Sequence, residues 1–170
     1  MEKGNWKTGQ AKTIYLSLGS NVGDRAAHLA AGIAALDAAG VRVTRQSSLY
    51  ATEPVGFQTQ SWFLNCVVAA ETALMPRQLL RVVRHIERQL GRRRMVRGGP
   101  RKLDIDILFY GGAIVRARDL VIPHPRLAER RFVLVPLREI APTLRHPLLR
   151  KTLAELLAEL RDSSQVRRVS

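Results

Sequence analysis

A chain of 170 residues, 46% hydrophobic and 25% charged, is long enough for one domain with a proper core and too short for two comfortable ones. No apolar stretch approaches the ~20 residues of a membrane helix, and the polar N-terminus lacks a signal-peptide core, so a cytoplasmic protein is expected rather than a membrane or secreted one. The net charge of +14 points to an anionic partner, whether nucleic acid, an anionic membrane or a phosphorylated small molecule, without choosing among them.

Residues 1–12 have no periodicity and read as a flexible leader. Residues 13–18 (TIYLSL) form a short strand. Gly19-Ser20-Asn21-Val22-Gly23-Asp24 follows as a turn cluster, lacking the Lys-Ser/Thr of a P-loop. Asp24 is placed to cap a helix in which Leu29, Ile33 and Leu36 fall at i, i+4 and i+7, and Gly40 ends it. Residues 41–50 supply a second strand, and residues 52–60 a loop rich in turn formers. Residues 63–71 are a third strand, with Phe63 and Asn65 on one face and Leu64, Cys66 and Val68 on the other. Cys66 is the only cysteine and reads as a small buried hydrophobe. Pro76 suits a helix first turn, Leu79, Val83, Ile86 and Leu90 mark one apolar stripe, and Gly91 is a stop. Arg77, Arg81, Arg84 and Arg88 lie on the wet side of that helix.

The stretch 98–110 (GGPRKLDIDILFY) passes from loop chemistry into a β-branched apolar run. Side chains two apart in a strand share a face, so Asp104 and Asp106 stand side by side while Leu103, Ile105 and Ile107 pack the other way. Two carboxylates forced together repel and resist desolvation, which a hard divalent cation between them relieves. Arg92, Arg93, Arg94, Arg97 and Arg101 precede the pair. Metal-binding carboxylates beside an arginine-rich loop is the charge pattern a polyphosphate needs. Downstream, the prolines hold residues 120–125 extended, residues 130–137 are a short apolar segment, and Thr152 with Glu155 makes a capping box. That last helix turns Leu153, Leu156, Leu157 and Leu160 inward. Residues 161–170 are polar and expected to fray.

The order β-α-β-β-α-β with a C-terminal extension is a ferredoxin-like α+β sandwich, an antiparallel sheet with helices on one face. It makes one domain over residues 13–160 and leaves the opposite sheet face free for a site.

Five motifs stand in one order: Gly19-Ser20-Asn21; Glu53-Pro54-Val55-Gly56; Phe63-Leu64-Asn65; Gly99-Pro100-Arg101 running into Leu103-Asp104-Ile105-Asp106-Ile107-Leu108; and Ile122-Pro123-His124-Pro125 followed by Arg130 and Phe132. In these the chain closely resembles the 6-hydroxymethyl-7,8-dihydropterin pyrophosphokinases of folate biosynthesis, over residues 13–160. That family transfers a pyrophosphoryl group from ATP to the hydroxymethyl oxygen of a reduced pterin and releases AMP. The resemblance implies two Mg²⁺ ions between Asp104, Asp106 and the ATP phosphates. It implies phosphate contacts from Arg92 and Arg101, which with the two aspartates form the catalytic set. It further implies a pterin ring between Phe63 and Phe132, its edge held by Asn65, Thr52 and the Pro54–Val55 backbone. The nucleotide side would involve Leu80, Arg84, Glu87, Arg92, Arg94, Arg101, Ile107, His124 and Arg130. Residues 95–100 form a short loop without a tryptophan that some members use to seal the pterin side, and Trp62 is the candidate replacement.

The chemistry of the residues agrees. Magnesium prefers one or two carboxylates plus phosphate oxygens to a full protein cage. A flat heterocycle needs aromatic faces and a side-chain amide at its edge, and Phe63 and Asn65 offer both from one strand face. No general base stands out, and phosphoryl transfer rests mainly on positioning and electrostatics. The alternative is a basic ferredoxin-like RNA-binding module. Its sheet face would carry aromatics among basic groups, whereas here that face carries two aspartates and aromatic content is only 5%. Small-molecule substrates, no nucleic acid, no membrane and a monomer are therefore expected.

Overall fold

The computed structural model describes residues 10–55, 59–91 and 99–170. The chain runs β1 (Lys12–Ser20), α1 (Arg25–Ala38), β2 (Arg42–Gln46), β3 (Tyr50–Thr52), β4 (Phe63–Thr72), α2 (Pro76–Gln89) and β5 (Asp104–Tyr110). A short ribbon of β6 (Val115–Arg116) and β7 (Val121–Ile122) follows. After a single 3-10 turn come α3 (Arg131–Ile140), α4 (Leu153–Ala158) and β8 (Val166–Arg168). The main sheet is antiparallel in the order β5-β1-β4-β3-β8, with β2 also on β4. With β2 and β3 taken as one broken strand, this is the ferredoxin-like arrangement.

Period-two alternation divides the sheet into two faces. Ile14, Leu16 and Leu18 of β1 and Leu64, Cys66 and Val68 of β4 are buried against Leu29 and Leu36 of α1 and Leu79, Val83 and Ile86 of α2. Each such Leu or Ile contributes ~1.5–3 kcal/mol over leaving it in water. Burial pushes the Cys66 thiol up to about 12, which leaves it an inert core residue. The Asp24 carboxylate caps α1 by accepting from the Ala27 N–H at 3.1 Å. Gly91, just past α2, has φ +95°, a left-handed stop that only glycine adopts without strain.

Several expectations are corrected. The strand expected over residues 41–50 is broken, because Ser47 leaves the ladder and serves Val67 instead. Its N–H donates to the Val67 carbonyl and its Oγ accepts from the Val67 N–H, both at 2.9 Å. The opposite sheet face is not free throughout. Residues 130–137 belong mostly to α3, which with α4 forms a second core on Val67, Ala69, Leu108 and Phe109. Phe109 lies edge-on to Tyr15 and His146, centroids 6.2 and 5.6 Å away. Two helices of the C-terminal extension thus cover half of that face, and the other half is left open. Lys12, expected in the leader, already pairs with Thr72, and residues 1–9 lie outside the described residues. Within the tail, residues 166–168 form β8, which pairs with β3 at the sheet edge.

Candidate active site

The open half of the sheet is floored by short side chains and walled by long ones. Gly19 of β1 stands between Asp104 on β5 and Asn65 on β4, and Ser17 lies beside Asp106. Asn65 donates from Nδ2 to Thr52 Oγ1 at 2.5 Å, both residues being buried, so the amide is held by its neighbouring strand. Phe63, two residues before Asn65, forms one wall. Arg130 and Phe132, at the start of α3, form the other, with the guanidinium 5.5 Å from the Phe132 ring centroid. The cavity they enclose is about 210 Å³ and also takes in Thr52, Val55, Arg101, Asp104 and Asp106.

Beside it lies a second cleft lined by Leu80, Val83, Ile105, Ile107, Leu120, Val121 and His124. It is apolar on most sides, with Arg118 and Asp119 at its rim. Asp106 lines both spaces. The carboxylate pair therefore sits at the junction of two cavities.

The electrostatics follow from this burial. Asp104 accepts from Arg101 Nη1 at 2.8 Å. Asp106 is 3.7 Å from Arg130 and 3.9 Å from His124 Nε2. Burial, then the charges of Asp104 and Glu87, push the Asp106 carboxyl well above the usual range, against the pull of Arg130 and Arg101. Burial and then Arg130 drive His124 down to about 4, so its ring is neutral near pH 7. Its Nδ1 accepts from the Arg126 N–H at 3.2 Å, which leaves the proton on Nε2, facing Asp106. Arg130 Nε is buried without a hydrogen-bond partner among the described residues, an orphan donor in a cavity wall.

A magnesium ion fits this donor set. Two carboxylates share a strand face, and no group of three His, Cys, Asp or Glu residues is gathered to hold a metal among the described residues. The remaining ligands would be phosphate oxygens and water, as Mg²⁺ prefers.

Thr52, Val55, Phe63, Asn65, Arg101, Asp104, Asp106, Arg130 and Phe132 meet in the first cavity, and Leu80, Ile107 and His124 in the second. Pro54 is buried beside the first cavity without lining it. Two expected nucleotide residues are placed elsewhere. Arg84 is exposed on α2 and lines neither space. Glu87 is buried, and its carboxylate accepts from the Ile105 N–H at 3.0 Å, so α2 braces the strand between the two aspartates. Arg92 and Arg94, with Gly56, lie outside the described residues. Trp62 does not line the cavity either: its ring lies under the guanidinium of Arg167, 5.2 Å from the centroid.

Sequence reasoning missed Ser17, Gly19, Gln60, Arg126, Arg118 and Asp119. It also passed over Asn21, which it left in a plain turn. Asn21 accepts from the Arg101 N–H at 2.7 Å and donates to Gln60 Oε1 at 2.8 Å, joining the loops on either side of the cavity. Its place in the Gly19-Ser20-Asn21 motif marked it without giving it a role, and a buried asparagine needs partners.

Comparison with known proteins identifies the family. Residues 15–142 match the family model for 7,8-dihydro-6-hydroxymethylpterin-pyrophosphokinase. A relative from Methylorubrum extorquens, a 2-amino-4-hydroxy-6-hydroxymethyldihydropteridine pyrophosphokinase, is 51% identical over 156 residues, covering 91% of this chain and 97% of its own. A protein of the same name from Bacillus subtilis is 48% identical over 127 residues, 74% of this chain and 76% of its own. Among solved structures, a Plasmodium falciparum HPPK-DHPS chain superposes with a TM-score of 0.73 at 16% identity over 91% of this chain. This chain spans 45% of that one, and the likeness speaks to the fold alone. The RNA-binding alternative finds no support among these relatives. With half of its residues shared across nearly the whole of one such enzyme, the chain belongs to the 7,8-dihydro-6-hydroxymethylpterin-pyrophosphokinase family and is an ATP-dependent diphosphotransferase of folate biosynthesis.

Proposed function

We propose that the cavity between Phe63 and Phe132 takes 6-hydroxymethyl-7,8-dihydropterin, and that the adjoining cleft takes ATP, with two Mg²⁺ ions held by Asp104 and Asp106 at the junction. The observation that carries this reading is the position of Asp106 as a wall of both spaces. Phe63 and Phe132 are placed to cover the faces of a flat ring, and Asn65, fixed by Thr52, to bond its edge. Leu80, Ile107 and the apolar lining around them would receive the adenine base. Arg101 and Arg130 put guanidinium groups beside the carboxylates, where charge builds on transferring and leaving oxygens. The orphaned Arg130 Nε would find its acceptor in a phosphate oxygen. His124, neutral and holding its proton on Nε2, is placed to donate to the same group without adding charge. Bound magnesium supplies charge neutralisation and in-line alignment of the β-phosphorus with the pterin hydroxymethyl oxygen.

The small-molecule substrates, a monomeric state, a cytoplasmic setting and a lack of nucleic-acid partners belong to the same proposal. No helix among the described residues is long and apolar enough to cross a membrane.

The test is to incubate the protein with ATP, MgCl₂ and 6-hydroxymethyl-7,8-dihydropterin and separate the nucleotides. AMP and the pterin diphosphate are expected in equal amounts, and Asp106→Ala should lower kcat by roughly 10²–10³-fold, as for loss of one transition-state electrostatic contact. ADP as the product, or a near wild-type rate for Asp106→Ala, overturns the assignment.

A further inference from the structure

The C-terminal segment lies beyond the residues matched by the family model, yet it touches both walls of the first cavity. On one side β8 pairs with β3, and the pairing continues past the strand ends. The Glu53 N–H donates to the Gln165 carbonyl at 3.2 Å, and the Gln165 N–H donates to Glu53 Oε1 at 2.6 Å. At the far end the Val169 N–H donates to the Leu49 carbonyl at 2.9 Å. Thr52, which holds Asn65, and Glu53, which lines the cavity, are therefore fastened from outside by the tail.

Arg167 of the same strand covers the Trp62 ring, and the Trp62 carbonyl accepts from Arg25 Nη1 at 2.8 Å. Residue 62 is thus pinned from two sides, directly before Phe63. On the other side, Asp162 Oδ2 accepts from the Arg131 N–H at 2.9 Å. That N–H opens α3, between Arg130 and Phe132. Asp162 is itself held by Ser164, whose N–H and hydroxyl both donate to Oδ1.

From these contacts we infer that residues 162–168 act as a positioning clasp that sets the spacing between the Phe63 and Phe132 walls, and so the affinity for the flat substrate between them. The inference rests on the pterin reading of that cavity. None of these tail residues lines either cavity, so their effect must pass through Thr52, Phe63 and Arg131. The second cleft is built from α2, β5 and the β7 region, which the tail residues do not contact in these bonds. The clasp should therefore separate the two substrates.

The test uses the full-length chain. The flanking bonds at residues 49–169 and 53–165 make Ala51 and Arg167 the hydrogen-bonded pair of the ladder, so Arg167→Pro removes a ladder donor at a sheet edge. Asp162→Ala removes the anchor on α3, and Asp162→Asn keeps an acceptor there. Arg167→Pro and Asp162→Ala should each raise the pterin KM by about tenfold, leaving the ATP KM and kcat within about twofold, and Asp162→Asn should restore most of the pterin KM. Calorimetry with the pterin alone should give the same ranking. A pterin KM that stays at the wild-type value, or a parallel rise in both KM values, overturns the clasp. So does a loss confined to the amount of folded protein. Failure of the wild-type chain to turn over pterin would instead count against the function itself, which separates the two.

Discussion

A side chain at Gly19 would collide with the Asn65 amide. A Cβ built there overlaps Asn65 Oδ1 and meets Phe63 Cδ1 at 3.5 Å. Gly19→Ala must therefore push Asn65 off Thr52 or lift β4, at a cost of ~1–3 kcal/mol for overpacking. Most of that cost falls on the cavity proposed for the pterin, so the pterin Kd by calorimetry should rise about tenfold while ATP binding stays near wild type. Equal weakening of both ligands would show that the glycine only supports the fold. The chemistry-bearing pairs on the strands were legible because alternation decides which side chains are neighbours: Phe63 with Asn65, and Asp104 with Asp106. Gly19 and Asn21 were not, because what they touch is far off in the chain. The partners of Asn21 lie 39 to 80 residues away, and the Gly19-Ser20-Asn21 motif does not say what they are.

At the scale of elements, β5 is an edge strand whose outward Ile105 N–H would be orphaned but for Glu87 on α2. Glu87→Leu leaves that buried donor unsatisfied and should destabilise the protein by ~1–3 kcal/mol in urea unfolding, and Glu87→Gln, which retains a carbonyl acceptor, by less. Equal losses for the two variants would mean that the charge matters rather than the acceptor. Helix α3 illustrates why some elements escape the sequence. Pro136 stands inside it, and a proline in a short apolar run argues against helix. The helix forms because Val133, Leu134, Leu137 and Ile140 all bury against the sheet, which outweighs one missing hydrogen bond. The two helices before it were legible from their caps and stripes, since those signals are local.

Across the whole molecule, two carboxylates join segments distant in sequence. Glu139 of α3 accepts from the Ser48 N–H and Oγ at 3.0 and 2.7 Å, and from the Tyr50 hydroxyl at 2.5 Å. Asp162 joins the tail to α3. Burial would raise both carboxyls, but the hydrogen bonds they accept outweigh it, and each is held below its ordinary value. The unfolded chain then binds more protons in acid. The stability these groups contribute is present above the ordinary carboxylate range of about pH 4 and lost as pH falls through their lower folded values. The urea midpoint should therefore decline below about pH 4.5, and less steeply in a Glu139→Gln, Asp162→Asn double variant. Parallel curves for the two proteins would remove this account. The raised Asp106 carboxyl acts in the opposite sense but is common to both. The order of elements and the ferredoxin-like plan were legible, whereas the return of the C-terminal extension across the second sheet face was not. Helix α4 carries an ordinary cap and apolar stripe, and nothing local tells which face of a sheet a later helix will cover.

The position of Asp106 as a wall shared by two cavities has a further consequence. Whatever fills one cavity alters the field and the desolvation felt by the carboxylate that the other must accommodate. On the proposed reading, occupancy of the two cavities would then be thermodynamically linked through one side chain. The factor by which the first ligand changes the affinity of the second must equal the factor in the reverse direction, whichever arrives first. A preferred order of binding would thus be a matter of rates and concentrations, laid over a symmetric coupling energy.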